Sequence, residues 1–190
     1  MNDVIVPRRY ARILERSRAI GFGMNSDVLT GSLLRTLVAS KPDGMFLELG
    51  TGCGLGTSWM LDGMNATSSL VSVDTDPAAQ AIARDELGSD ARLRFVLEDG
   101  SAFLAATTDR FDLVYADAWP GKYSDLERAL ALVKPGGIYL VDDMLPQPNW
   151  PDGHGAKAAA LIARLQQLDG FQVNTLDWST GLIICVRIAQ

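Results

Sequence analysis

Three features of the sequence predict a doubly wound α/β sheet with helices on both faces. Short apolar strands alternate with helical stretches, a glycine-rich turn follows the first strand directly, and five successive strands finish at an acidic residue. A closing hairpin adds an antiparallel pair, giving a seven-stranded mixed sheet. One domain is expected over residues 1–190, with 1–40 a helical cap and 41–190 the ligand-binding core.

Composition narrows the class. With 47% hydrophobic residues in 190, the chain can bury a full core. No apolar run approaches the ~18 residues that span a bilayer, and Met1 to Tyr10 lacks a signal-peptide segment. A cytoplasmic protein with no membrane partner is the expectation. The net charge is −6 and no basic cluster exceeds Arg8-Arg9, which argues against a nucleic-acid partner. Cys53 and Cys185 show no metal-ligand spacing and read as structural.

In chain order, residues 4–19 read as an amphipathic helix with Tyr10, Ile13 and Leu14 on one side and arginines on the other. It is suited to cover the site or a second copy of the chain, so a homodimer is a candidate assembly; packing on its own domain is the plainer alternative. Asn25 or Ser26 is expected to cap a second helix through Leu37, and Lys41 to Gly44 to turn into the first strand, Met45 to Leu49. A helix from Leu55 to about Met64 follows the glycine turn. Ser69 to Asp74 is the second strand, and Pro77 opens a helix through Leu87. Arg92 to Leu97 and Phe111 to Ala116 are the third and fourth strands. A helix over Ser124 to Val133 places Leu126, Leu130 and Val133 inward, and Lys134-Pro-Gly-Gly137 turns the chain into the fifth strand, Ile138 to Val141. A helix over Ala156 to Leu168 precedes the hairpin, Gly170 to Asp177 and Gly181 to Ile188.

The glycine turn defines the ligand. Its glycines stand at 50, 52, 54 and 56, so the G-x-G-x-x-G spacing for a dinucleotide fails: Leu55 or Thr57 occupies the third position. Instead, Glu48-x-Gly50-x-Gly52-x-Gly54 sets a carboxylate before the turn, which repels a pyrophosphate and suits a ligand carrying an ammonium or sulfonium. A tight strand-to-helix turn without a ligand is the alternative. The motif resembles the first motif of class I S-adenosylmethionine-dependent methyltransferases, and the resemblance implies their Rossmann-like fold, in which the sheet ends in such a hairpin with its last strand antiparallel.

Glu48, Asp74, Asp99, Asp117 and Asp142 close the five strands and are expected along one sheet edge, where open α/β sheets bind ligands. Each alone can be a turn residue or a helix cap. Asp74, about 20 residues beyond the glycine turn, is placed for a ribose diol. Asp99 with Gly100 and Ser101 is placed for the adenine edge, and Glu48 for the amino-acid end. The expected cofactor set is Glu48, Gly50, Thr51, Gly52, Gly54, Asp74, Thr75, Asp99, Gly100, Ser101 and Asp117.

Asp117-Ala-Trp-Pro-Gly-Lys-Tyr123 and Leu132 to Asp143 resemble the catechol and caffeoyl-coenzyme A O-methyltransferases, and Met24 to Gly31 is similar to the helix those enzymes place beside the cofactor. The resemblance implies methyl transfer from S-adenosylmethionine to an oxygen of a small acceptor. It also implies a magnesium-like divalent cation held by Asp117, Asp142 and Asp143, with Asp143 standing where the family has asparagine. The family's catalytic lysine falls at Pro120, leaving Lys122, two residues on, as candidate base beside Asp117. His154, the only histidine, is a second candidate in a proline- and glycine-rich loop, or an exposed histidine near a helix cap. Trp119 and Trp150 are candidate walls for a flat acceptor, or ordinary packing. Two other functions stay open: an aminopropyltransferase on the same fold, and a non-catalytic S-adenosylmethionine-binding protein.

Overall fold

The computed structural model describes residues 4–148 and 150–189. Its seven strands are β1 (Met45–Leu49), β2 (Ser69–Asp74), β3 (Leu93–Leu97), β4 (Phe111–Ala116), β5 (Val133–Val141), β6 (Phe171–Leu176) and β7 (Leu182–Arg187). They lie in the order β3-β2-β1-β4-β5-β7-β6. All pairings among the first five are parallel, and β7 runs antiparallel to both β5 and β6. The eight helices described are α1 (Tyr10–Ala19), α2 (Val28–Ala39), α3 (Leu55–Gly63), α4 (Pro77–Leu87), α5 (Gly100–Ala106), α6 (Trp119–Lys122), α7 (Leu126–Ala131) and α8 (His154–Leu165).

Side-chain alternation divides the core between the two sheet faces. Leu47, Leu49, Val73, Val114 and Tyr139 pack on one side; Phe46, Leu70, Leu113, Tyr115 and Leu140 pack on the other. The order reverses between β1 and β4, and the crevice there forms the candidate site. At α2 against α3, a Cβ on Gly31 would lie 2.2 Å from Trp59 Nε1, so glycine lets the indole rest on the backbone.

Four boundaries differ from expectation. The first helix begins at Tyr10, not Val4, because Pro7 disfavours helical backbone at the residue before it. Asp27, rather than Asn25 or Ser26, caps α2, accepting from the backbone N–H groups of Leu29 and Thr30. Val133 belongs to β5, where it pairs with Phe111, and the Lys134–Gly137 stretch is absorbed as a register shift before Leu113 pairs with Ile138. The last long helix starts at His154 instead of Ala156. The cap helix α1 docks on α4: Glu86, its side chain 2% exposed, receives Arg12 Nε at 2.8 Å and Arg16 Nη1 at 2.9 Å.

Candidate active site

The chain leaves β1 through Gly50 (φ 106°) and enters α3 through Gly54 (φ 93°), dihedrals that favour glycine. A Cβ on Gly50 would meet the Asp117 carbonyl oxygen at 2.6 Å, so the loop can lie against the end of β4. A cavity of about 290 Å³ opens over this loop, lined by Gly50, Thr51, Gly52, Asp74 and Thr75 and roofed by Phe22 and Ser26. A second cavity, also about 290 Å³, continues past Asp74 and Thr75 to Asp99, Gly100 and Pro120.

Asp74 stands in both cavities. Its Oδ2 accepts the Gly52 N–H at 2.7 Å and its Oδ1 that of Asp76 at 2.8 Å, which fixes the carboxylate at the strand end. Asp99 caps α5 through the N–H groups of Ser101 and Ala102 while still lining the second cavity. Three expected cofactor residues are not among those lining either cavity. Ser101 is in the first turn of α5, behind Asp99. Gly54 packs on α4, where a Cβ would lie 2.8 Å from the Ala83 methyl.

Glu48 is the third, and its position overturns the expectation that all five acids share the sheet edge. It is the penultimate residue of β1, in register with Ser72 and Tyr115, and faces the interior with no exposed surface. Its Oε2 accepts from the hydroxyls of Thr57 and Ser72, both at 2.5 Å, while its Oε1 has no partner among the described residues. Burial pushes its carboxyl up to about 7, against the pull of those two hydroxyls.

The third and largest cavity, about 480 Å³, meets the first at Ser26, Asp117 and Ala118. The sequence expectation placed Asp117, Lys122, Asp142, Asp143, His154, Trp119 and Trp150 around the acceptor, and all seven line this cavity. Lys122 arrives by an irregular turn: Pro120 (ψ 136°) and Gly121 (φ 91°) break α6, and the side chain turns inward with 6% exposure. Its Nζ lies 3.7 Å from Asp117 Oδ1. Burial first, then Asp142, raises the Asp117 carboxyl well above the usual range, with Lys122 opposing.

His154 is not a solvated loop residue. Its Nε2 is 3.0 Å from Tyr123 Oη, and its ring lies 4.5 Å from that of Trp150 and 5.1 Å from that of Tyr123. Sequence reasoning missed Tyr123, Thr180 and Tyr115. Thr180 comes from the β6–β7 turn, far away in sequence; Tyr115, two residues before Asp117, looked like a core residue.

The three aspartates do not fit a divalent cation as arranged. Asp142 is 3% exposed, and both its oxygens are engaged: Oδ2 accepts from Tyr115 Oη at 2.7 Å, and Oδ1 from Thr180 Oγ1 at 2.5 Å and Asp143 N–H at 2.7 Å. Asp117 has an ammonium beside it. A hard cation needs several free oxygens converging on one point, and among the described residues no group of three or more His, Cys, Asp or Glu is so arranged. The expected metal set is therefore corrected to an acid cluster engaged by protein donors. Nor does any described helix have the length and apolarity to cross a membrane.

A crevice at the switch between β1 and β4, an antiparallel β7 and a glycine loop before Asp74 together define a class I methyltransferase architecture. The chain belongs to the methyltransferase-domain family, which matches residues 47–144, and stands among the class I S-adenosylmethionine-dependent O-methyltransferases. A candidate O-methyltransferase of Mycobacteroides abscessus is 27% identical over 161 residues, covering 77% of this chain and 75% of that protein. One of Mycobacterium avium is 31% identical over 134 residues, covering 66% of this chain and 60% of that protein. Among solved structures, a Bacillus cereus O-methyltransferase in complex with S-adenosylhomocysteine superposes with a TM-score of 0.83 at 19% identity, covering 97% of this chain and 94% of that one. The S-adenosylhomocysteine-bound methyltransferase of Podospora anserina gives 0.85 at 21% identity, covering 100% and 91%.

Proposed function

We propose that the chain transfers the methyl group of S-adenosylmethionine to a hydroxyl oxygen of a small, flat acceptor. The observation that carries this reading is the junction at Asp117, where the cavity over the glycine loop meets the cavity walled by Trp119, Tyr123 and Trp150. S-adenosylmethionine supplies an activated methyl whose carbon–sulfur bond breaks onto the neutral sulfur of the thioether product.

The first two cavities suit the donor. Asp74 would hold the ribose diol, Thr51, Gly52 and Thr75 would border the methionine and ribose portions, and Asp99 and Gly100 would border the adenine. Glu48 would support the glycine loop from below. On the acceptor side, aromatic rings would fix a planar substrate so that its oxygen lines up with the methyl carbon, the orientation effect on which such transfers depend. Asp117 borders both cavities, and its carboxylate, with Lys122 Nζ 3.7 Å away opposing the rise that burial imposes, is placed to take the hydroxyl proton. Titration calorimetry with S-adenosylmethionine, followed by mass spectrometry of a panel of hydroxylated aromatics, tests the reading. Micromolar binding and a gain of one methyl on oxygen are expected; absence of binding overturns it.

A further inference from the structure

Resting on the methyl-transfer reading above, we infer that the Lys122 ammonium takes the place of a divalent cation in the acceptor site, making the protein metal-independent. Four carboxylates, Asp27, Asp117, Asp142 and Asp143, line the acceptor cavity, and Lys122 is the one lysine that faces them there. Carboxylates that share one cavity, Asp142 buried and the other three partly so, are favoured by a counter-charge or by protons. Lys122 supplies the charge: its side chain is 6% exposed, its Nζ is 3.7 Å from Asp117, and its field opposes the rise that burial and Asp142 impose on Asp143. Asp142 is held by Tyr115, Thr180 and the backbone of Asp143, so it is a positioning group and not an open ligand.

The local sequence explains how the lysine gets there. Pro120 and Gly121 carry non-helical dihedrals that end the turn after Trp119 and swing position 122 under the loop. A Cβ on Gly121 would lie 2.6 Å from a methyl of Leu49, so the approach needs glycine as well as its positive φ. The ammonium then lies beside the carboxylate that faces both cavities. There it stabilises an acceptor oxygen as its proton leaves, the role a Lewis-acidic cation plays elsewhere.

Three preparations test this: wild type, Lys122→Ala and Lys122→Arg. Each is assayed for Mn²⁺ binding by electron paramagnetic resonance, for S-adenosylmethionine affinity by calorimetry, and for turnover with and without a chelator. Wild type is expected to bind no Mn²⁺ at 1:1 stoichiometry and to keep its turnover after chelation. Lys122→Ala is expected to keep donor affinity within about threefold, to lose about 100-fold or more in turnover, and to regain none of it with Mn²⁺ or Mg²⁺, because the Asp142 oxygens stay engaged by Tyr115, Thr180 and Asp143. Lys122→Arg, which keeps the charge, is expected to retain more turnover than the alanine variant and to bind no Mn²⁺, and it keeps the test open if the alanine variant does not fold. Wild-type turnover abolished by chelation and restored by Mg²⁺, or 1:1 Mn²⁺ binding to wild type, overturns the inference. Loss of donor binding in wild type would instead strike the methyl-transfer reading, so the two failures are distinguishable.

Discussion

Replacing Glu48 by glutamine isolates the energetic consequence of a carboxyl sealed beneath the glycine loop. The side chain has no exposed surface, and burial raises its pKa to about 7 from an ordinary 4.5. The folded state thus binds the proton more tightly than the unfolded chain. The stability tied to this group is fully present below the unfolded value, falls as pH rises through that window, and is gone above the folded value. At 1.36 kcal/mol per pKa unit, a shift of about 2.5 units costs wild type about 3 kcal/mol above pH 7, most of it lost between pH 5 and 8. Glutamine keeps an acceptor for the Thr57 and Ser72 hydroxyls without a charge to desolvate. Urea unfolding at pH 5 and pH 8 should show the variant gaining about 2–3 kcal/mol on wild type between the two pH values. A variant-to-wild-type difference that does not change with pH would refute the argument. Since Glu48 lines none of the ligand cavities, S-adenosylmethionine affinity should change by less than about threefold, or about 0.6 kcal/mol.

Other outcomes follow from the same geometry. Asp74→Ala removes the acceptor of the Gly52 and Asp76 N–H groups and the expected ribose contact; calorimetry should show donor affinity down by about 10- to 100-fold, the scale of a charged hydrogen bond. Tyr123→Phe removes the hydroxyl that meets His154 Nε2; steady-state kinetics should show kcat/KM for the acceptor falling by about 3- to 10-fold, with the KM for S-adenosylmethionine unchanged. Gly56→Ala sets a Cβ 2.6 Å from Glu48 Oε1 in a fully packed interior; denaturant titration should show a loss of about 1–3 kcal/mol.

The strands were legible because each buried segment is short, apolar and punctuated by glycine, proline or acid, as Met45–Leu49 and Phe111–Ala116 illustrate. The hairpin was legible from the glycines that flank its strands, and it alone distinguished this sheet from a purely parallel one. Glu48 was misplaced because a strand's side chains alternate: it falls one residue before the strand end, and that single step turns it from the crevice to the core. Lys122 was identified by type but not by reach, since only the break at Pro120 and Gly121 brings it back to Asp117. The helix α5 escaped notice because its seven residues show no sustained 3.6-residue pattern; its strongest signal was Asp99, read instead as a ligand contact.

Asp142 illustrates why residue type and spacing alone suggested a metal. An acid after the fourth strand and an acid pair after the fifth supply the right chemistry at the right edge, and only the donors that reach them decide its use. Those donors come from remote segments: Tyr115 from β4 and Thr180 from the β6–β7 turn. The chain extends further, since Ser26 Oγ stands 3.4 Å from Tyr115 Oη, in the segment before α2 that borders both the donor and the acceptor cavity. One buried polar network therefore ties the hairpin turn, two central strands and the cap region together around Asp117. Such a network is rigid when every member is satisfied and weak when one is lost. Holding Asp142 through Tyr115, Thr180 and the Asp143 N–H fixes the position of its carboxyl beside Asp117 and Asp143, and so fixes the geometry of the acid cluster that Lys122 Nζ approaches at 3.7 Å from Asp117.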